Sequence, residues 1–355
     1  MSERILPSIQ YRELLEHPHY LIDVRSPAEF EEFHEPGSIN VPLFTNDERA
    51  QIGTLYKQES PEKAKEIGVN IYSKKLPEFY AKWMKFNEKY APKTAVVACA
   101  RGGMRSASFV SVMHAMDIPV LQLEGGVRSI RKHVQERLES LSQMNWKTIV
   151  LEGNTGTGKT KWLEELKQRG YPVIDLEGLA NHRGSVFGQI GKTFRSQKQF
   201  EFLLAKELSK ISPGKTMILE AESKRIGRIV LPDFIMETKE NGHYIEIHDG
   251  LDRRVDRLLE DYQPHEYVEE FKHASAIIRK GLPTVFQKEM DELLKQEDFK
   301  QLSKLLLTEY YDKKYGHKRA TNESDFVKRE LLLHDLSEEE IMDTVEEEVN
   351  HLMVT

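Results

Sequence analysis

The sequence predicts an α/β protein: a doubly wound parallel sheet, then a second α/β unit built on a phosphate-binding loop, then a helical C-terminal extension. Three observations carry that prediction. Short apolar runs recur between stretches of helical spacing, at 20–25, 94–98 and 120–123 and again at 146–151, 171–175, 215–219 and 243–247. Strands alternating with helices argue for parallel sheets. Two glycine-containing loops, 99–103 and 153–158, each stand between an apolar run and a helical one. From Leu251 onward the apolar spacing is helical almost throughout. The expected boundaries are 1–140, 145–250 and 251–355, with a polar connection at 140–145.

In the first part, Tyr20-Leu21-Ile22-Asp23-Val24-Arg25 is a strand closed by Ser26-Pro27, and 28–33 a short helix. His34-Glu35-Pro36-Gly37-Ser38-Ile39-Asn40 is a turn entering another strand. Residues 47–91 are mostly helical, with Trp83 and Phe86 as core anchors. The apolar run 94–98 leads into Cys99-Ala100-Arg101-Gly102-Gly103 and a helix over 105–116. A strand over 120–123, the turn Glu124-Gly125-Gly126-Val127-Arg128 and a helix over 130–141 complete the unit.

Cys99 is the only cysteine of 355 residues. A lone cysteine is ordinarily a small core residue, but this one opens a loop with two consecutive glycines before a helix. Such a loop turns backbone N–H groups inward, and the helix start adds its positive dipole end. With Arg101 and Arg105 close by, the thiol is expected to carry substantial thiolate at neutral pH. Cys99 is therefore read as a nucleophile, with Arg101, Arg105, Gly102 and Gly103 forming an anion cradle around it.

Length favours more than one domain. A single cysteine excludes an internal disulfide framework and fits a reducing cytosol, so a cytoplasmic location is expected. No apolar segment is long enough to span a bilayer, and Met1-Ser2-Glu3-Arg4 lacks the apolar run of a signal peptide. The net charge of −7 is unevenly placed: residues 330–355 hold nine acidic groups and no Lys or Arg, so residues 1–329 carry +2. The acidic end reads as the solvated face of a terminal helix, and the body could accept a polyanion.

In the second part, the run 146–151 leads into Gly153-Asn154-Thr155-Gly156-Thr157-Gly158-Lys159-Thr160, followed by a helix. This is G-x-x-x-x-G-K-T in the strand–loop–helix context that gives the motif its meaning. Its backbone N–H groups wrap a diphosphate, Lys159 adds a point charge, and the Thr160 hydroxyl is a candidate ligand for Mg²⁺. Asp175-Leu176-Glu177-Gly178-Leu179-Ala180-Asn181-His182-Arg183-Gly184-Ser185 follows the second strand, and Glu220-Ala221-Glu222-Ser223 ends the third. Acidic residues there are placed to support a metal or its water. The adjacent Lys224-Arg225-Ile226-Gly227-Arg228 is expected to contact an anion. Asp175, His182, Arg183, Glu220, Glu222, Arg225 and Arg228 are thus candidates for a second site. Arg253, Arg254 and Arg257 share a helix face, and Lys313, Lys314, Lys318 and Arg319 cluster with Tyr310, Tyr311 and Tyr315. Basic residues interleaved with aromatics can track a nucleic-acid backbone and stack bases. His182, His243 and His248 are scattered, with no zinc spacing.

The first part resembles the rhodanese family, through Asp23-Val24-Arg25 with Glu29-Phe30, His34 to Asn40, the Cys99 loop and Leu123-Glu124-Gly125-Gly126. That resemblance implies a thiolate that takes up a chalcogen as a persulfide or perselenide and hands it on. Cys99 to Arg105 is also C-x5-R, a phosphatase signature found on this fold, although Ala98 precedes the cysteine where a His is usual.

Joined to a P-loop NTPase-like unit with the 175–185 segment, the whole resembles the tRNA 2-selenouridine synthase family. Ala100 after the cysteine and the less acidic Glu220-Ala221-Glu222 depart from the family pattern. The resemblance implies replacement of sulfur by selenium at C2 of the wobble 2-thiouridine of tRNA. Geranyl diphosphate would first alkylate the sulfur, and selenophosphate would then supply selenium. It also implies contact with the enzyme that makes selenophosphate. On this division Cys99 accepts or helps deliver selenium, Arg101 and Arg105 hold selenophosphate, and the Lys159 loop holds a diphosphate. The alternatives are a rhodanese-type sulfurtransferase coupled to a nucleotide-binding domain and not acting on RNA, and a non-catalytic sensor.

Overall fold

The computed structural model describes residues 6–212, 214–314 and 328–354. The chain divides into two compact units, Met1–Glu139 and Ser140–Thr355. Among the described residues no helix is long and apolar enough to cross a membrane.

The first unit is built on five parallel strands: β1 (Ser8–Ile9), β2 (His19–Asp23), β3 (Ile39–Asn40), β4 (Thr94–Ala98) and β5 (Leu121–Leu123), in the order β1-β5-β4-β2-β3. The order reverses direction between β2 and β4, and their carboxyl ends are where such a sheet binds ligands. Buried Tyr20, Ile22, Val24, Val97, Phe109 and Met113 form its core, as expected for strands covered on both faces. The 47–91 region is two helices, Asn46–Gln58 and Pro61–Tyr90. They are divided where Ser60 accepts from the Glu62 and Lys63 N–H groups and Pro61 takes the first helical position, a proline site that costs no hydrogen bond. Trp83 is fully buried and Phe86 partly so.

The second unit contains β6 (Lys147–Gly153), β7 (Val173–Ile174), β8 (Thr216–Glu220), a small hairpin of β9 (Arg225–Ile226) and β10 (Ile229–Val230), then β11 (His243–His248) and β12 (Lys328–Leu332). The main sheet is parallel in the order β12-β11-β6-β8-β7. It reverses direction between β6 and β11, which places the 153–158 loop at the binding edge.

The C-terminal region is helical as expected, except that β12 adds an edge strand beside β11. Its sequence, Lys-Arg-Glu-Leu-Leu, has the charge that edge strands carry. The terminal helix Glu338–Val354 keeps its acidic residues outward and buries Ile341, Met342, Val345, Val349 and Leu352 against Trp162, Leu166 and Ile245. At about 1.5–3 kcal/mol per buried side chain before entropic cost, this helix is part of the core. A separate apolar cluster, including Phe187, Val255, Phe271, Ile278 and Phe299, binds the remaining helices together.

Candidate functional site

In the first unit, Cys99 follows β4, and its side chain is almost wholly buried, the residue being 3% exposed. The helix Met104–Ala115 begins at Gly103 without a side-chain cap. Gly102 has φ +64°, and a Cβ there would lie 2.8 Å from the Gly125 nitrogen; a Cβ on Gly126 would lie 2.1 Å from the Cys99 carbonyl oxygen. The two loops therefore pack backbone against backbone, which glycine alone permits. Val127 N–H donates to the Cys99 carbonyl at 2.8 Å, and Arg128 N–H to that of Ala100 at 3.1 Å.

Ser106 is the polar neighbour that matters most to the thiol, its Oγ lying 3.2 Å from Cys99 Sγ. Ser106 is held in turn by Gln122, whose Nε2 donates to it at 2.9 Å and to the Gly102 carbonyl at 2.7 Å. Burial pushes the Cys99 thiol up, but the Ser106 hydroxyl, the N–H groups of Ser106 and Arg101, and the Arg105 charge outweigh it, so the net shift is downward. The Arg105 charge is the smallest of these contributions, and Arg101 acts through its backbone N–H. Ser106 and Gln122 were not singled out from sequence; a hydroxyl one helical turn after the loop was the available signal.

Arg105 is committed elsewhere. Its guanidinium grips Glu29 with bonds of 2.7 and 3.2 Å, while Arg49 approaches the same carboxylate at 3.6 Å. Burial would raise the Glu29 carboxyl, but Arg105, the Ser26 N–H and Arg49 bring it down to about 2. Glu29 also closes a capping box with Ser26. Arg105 thus braces the helix Pro27–Glu32 against the cysteine loop, whereas Arg101 is exposed. Asp23 and Arg25 form a buried pair at the end of β2, and Arg25 also donates to the Phe33 carbonyl at 2.5 Å. Beside Cys99 opens a cavity of about 680 Å³, lined by Arg49, Arg101, Arg105 and several large apolar side chains.

In the second unit, Gly153, Gly156 and Gly158 are each crowded. A Cβ at Gly153 would lie 2.5 Å from the Ile247 carbonyl oxygen, and one at Gly156, where φ is +83°, 2.7 Å from that of Arg254. Asn154 and Thr157 close the turn between them, with Thr157 Oγ1 donating to the Asn154 carbonyl at 2.9 Å. Lys159 Nζ folds back onto the Gly153 and Asn154 carbonyls at 3.0 and 3.2 Å. Arg254 donates to the Thr155 carbonyl at 2.8 Å, and Arg257 to that of Gly156 at 3.3 Å. Arg254 is buried and clamped by Asp312. The two arginines read as a nucleic-acid face hold the outside of the loop instead. Arg253 donates to the Leu333 and Leu336 carbonyls at 2.9 and 2.8 Å. Tyr311 is core, Lys313 pairs with Glu309, and Lys314 lies over Tyr310. Tyr315, Lys318 and Arg319 fall outside the described residues.

Glu177, Glu220 and Glu222 converge so that one oxygen of each lies within 4.8 Å of the others. Thr160 Oγ1 donates to Glu177 at 3.4 Å. Burial, then the neighbouring Glu220 and Glu222, push the Glu177 carboxyl well up; burial likewise raises Glu220, despite the opposing Lys159 charge. Glu220 Oε1 is buried without a hydrogen-bond partner among the described residues. Crowded carboxylates with an unsatisfied buried oxygen, beside a threonine hydroxyl, are a donor set that fits a hard divalent cation such as Mg²⁺. Glu177 was missed as a carboxylate of this site.

The remaining candidates are dispersed by role. Asp175 caps the helix Leu176–Ala180, accepting from the Gly178 N–H at 2.8 Å. His182 is nearly buried, accepts from the Gly184 N–H at 3.1 Å, and has its pKa lowered by burial and by Lys192 and Arg183. Arg183 donates to the Ile190 carbonyl at 2.9 Å and covers the Tyr262 ring. Arg225 is exposed on β9, and Arg228 lies 4.0 Å over the exposed Phe194 ring. Gly184 lies against the acidic cluster: a Cβ there would meet Glu177 at 2.3 Å and Glu222 at 2.8 Å.

Comparison with known proteins agrees with this division. Residues 9–133 match the rhodanese-like domain family, and residues 146–351 match the family described as the tRNA 2-selenouridine synthase AAA domain. The chain is 31% identical to the tRNA 2-selenouridine synthase of Proteus mirabilis, across 92% of this chain and 96% of that protein. It is 34% identical to the one of Nitrosomonas europaea, across 68% of this chain and 63% of that protein. Among solved structures it is similar to the N-terminal domain of a protein of Clostridium difficile 630 titled as ATP/GTP binding. Identity there is 36%, covering 36% of this chain and 98% of that one, with a TM-score of 0.34.

Proposed function

The chain belongs to the tRNA 2-selenouridine synthase family, and from that premise we propose that it replaces sulfur by selenium at C2 of the wobble 2-thiouridine in two steps. In the first, the thiocarbonyl sulfur attacks C1 of geranyl diphosphate. A C–S bond forms, the C–O bond to diphosphate breaks, and N3 gives up its proton. In the second, the selenium of selenophosphate attacks C2, and the C2–S bond breaks. The departing sulfur takes a proton as geranylthiol, and water takes the phosphoryl group as the Se–P bond opens. Selenium enters and sulfur leaves at the same oxidation level, so no oxidant is required. Alkylation is what makes the exchange feasible, because a thioether sulfur leaves as a thiol whereas a thiocarbonyl sulfur does not leave.

The observation that carries the reading is the Cys99 thiol, buried yet shifted toward thiolate by Ser106 and loop N–H groups. A thiolate there can take the Se–H proton and help deliver selenium, with the exposed Arg101 available to the selenophosphate anion. Arg105, engaged by Glu29, acts by holding the loop. The Gly153 to Thr160 loop suits the diphosphate of the alkyl donor, and neither step formally needs nucleotide hydrolysis. Thr160, Glu177, Glu220 and Glu222 would hold Mg²⁺, which when bound neutralises diphosphate charge. Handover from the enzyme that makes selenophosphate would protect an oxidisable selenium donor.

The test is mass analysis of nucleosides from tRNA incubated with the full chain, withholding each co-substrate in turn. Without selenophosphate, S-geranyl-2-thiouridine should accumulate; without geranyl diphosphate, neither product should form. Selenouridine formed without geranyl diphosphate would overturn the two-step order.

A further inference from the structure

The cavity beside Cys99 has a composition that selenium delivery does not explain. Phe44, Ile52, Tyr56, Val69, Tyr72 and Met104 line it, and Tyr56, Val69 and Met104 are 51, 64 and 56% exposed. A selenophosphate anion gains nothing from such walls. Large apolar side chains left in water around one concavity mark a place for an apolar ligand. The cationic residues Arg49, Lys57, Lys65 and Arg101 line the same cavity, the last three exposed. The ligand to fit is therefore apolar at one end and joined to a polyanion at the other.

Two helices supply most of this wall. Ile52 and Tyr56 stand one turn apart on the helix Asn46–Gln58, and Val69 and Tyr72 about one turn apart on Pro61–Tyr90. Side chains at these spacings share a helix face. The helix Asn46–Gln58 has no buried residue; Ile52 packs partly against the core, while Tyr56 is half exposed and left for a ligand. The cavity of about 680 Å³ has ample room for a ten-carbon chain, at roughly 30 Å³ per carbon at interior packing density.

We propose that this cavity holds the alkyl chain of an S-alkylated 2-thiouridine while C2 of that nucleoside lies at Cys99, with the basic residues meeting the RNA backbone. The assignment rests on the two-step reading above and names where the intermediate's geranyl chain sits during selenium exchange. Gripping the leaving group's chain retains the alkylated tRNA and discriminates it from tRNA that is not yet alkylated.

The experiment compares full-chain binding of anticodon stem–loop RNAs carrying S-geranyl- or S-methyl-2-thiouridine, for the natural sequence and for the uncharged variants Tyr56→Ser and Val69→Ser. Both positions are exposed, so neither variant removes a core residue. A buried methylene is worth roughly a factor of four in affinity, and partial burial of the chain should make the geranyl RNA bind on the order of a hundredfold more tightly. Each variant should cut that preference to about tenfold or less and leave S-methyl binding unchanged. No preference in the natural sequence, or a preference that survives both variants, overturns the proposal. The same ratio measured with free nucleosides separates this from the functional reading. If RNA is neither bound nor modified, the functional reading fails, while a nucleoside preference lost in both variants still supports the cavity assignment.

Discussion

The cysteine loop and the phosphate loop solve one backbone problem with opposite chemistry. Each follows a parallel strand at the carboxyl edge where its sheet reverses direction, opens a helix, and relies on glycines whose Cβ atoms would strike backbone. In the first, N–H groups and the Ser106 hydroxyl turn onto a side chain of the loop itself, the Cys99 sulfur. In the second, Lys159 folds over its own loop carbonyls, two arginines hold the outside, and crowded carboxylates face Thr160. The geometry of a glycine loop thus says that an anion is stabilised there. Which anion depends on the side chains returned from distant parts of the chain: on the reading proposed above, an internal thiolate in one unit and a phosphorylated ligand in the other.

The largest expected effect separates the two loops by function. Cys99→Ala should lower selenium incorporation by about 10³-fold or more, as removal of a reacting group does, and leave S-geranylation intact. Lys159→Ala should lower geranylation by roughly 10²–10³-fold, the scale of losing a positioned charge on a reacting anion. Nucleoside mass analysis reads both products from one digest. Loss of both products in Cys99→Ala, or unchanged geranylation in Lys159→Ala, would break the division of labour.

Next in size is the tuning of the thiol. Ser106→Ala removes the hydroxyl that does most to offset burial. The Cys99 pKa should rise, because the thiolate loses a charge-assisted hydrogen bond worth roughly 1.5 kcal/mol. Iodoacetamide alkylation at neutral pH should slow about tenfold, with the pH profile displaced to alkaline. Because the chain has one cysteine, alkylation reports this thiol alone. An unchanged profile would shift credit to the loop N–H groups.

What was legible in the sequence is what depends on neighbours in sequence. The strand–loop–helix order of both units, Cys99, and the Gly153 to Thr160 loop are local features and were readable. Ser106 was less so, since only the helical turn from Gly103 brings its hydroxyl back to the sulfur. The Glu29–Arg105 grip spans 76 residues, and nothing local says that Arg105 has a carboxylate waiting. Glu177 lies in a quoted segment, yet its partnership with Glu220 and Glu222 depends on β7 and β8 lying side by side. Arg254 and Arg257 looked like a basic surface because their spacing is that of one helix face. Only the sheet order shows that this face meets the phosphate loop. Strand β12 was missed because a charged edge strand lacks the apolar run that marks a central one.

A smaller effect tests the brace beneath the cysteine loop. Glu29 has its carboxyl held at about 2 in the folded chain, below its ordinary 4.5. A depressed acid stabilises the fold fully above its unfolded pKa and loses that contribution as pH falls through the folded value. With partial exposure discounted, the contribution should be about 1–2 kcal/mol. Glu29→Gln should therefore lower the denaturation midpoint at pH 7 and make little difference near pH 2. Equal loss at both pH values would mean that the pair acts through packing and not through charge.

The smallest expected effect bears on the carboxylates of the second loop, where the sign is reversed. Glu177 and Glu220 have folded-state pKa values above their unfolded ones. The unfolded chain then sheds protons first, so stability falls as pH rises from the ordinary carboxylate range toward the raised values. A divalent cation binding the ionised cluster would offset that loss, and only where the cluster is ionised. Millimolar Mg²⁺ should therefore raise the melting temperature by a few degrees at pH 8, the scale of about 1 kcal/mol, and by less at pH 6. Glu220→Gln should abolish the Mg²⁺ increment at pH 8 and raise the melting temperature measured without Mg²⁺, because it removes one of three mutually repelling charges. A melting temperature indifferent to Mg²⁺ at both pH values would leave the crowding of Glu177, Glu220 and Glu222 to be explained by a shared proton instead of a cation.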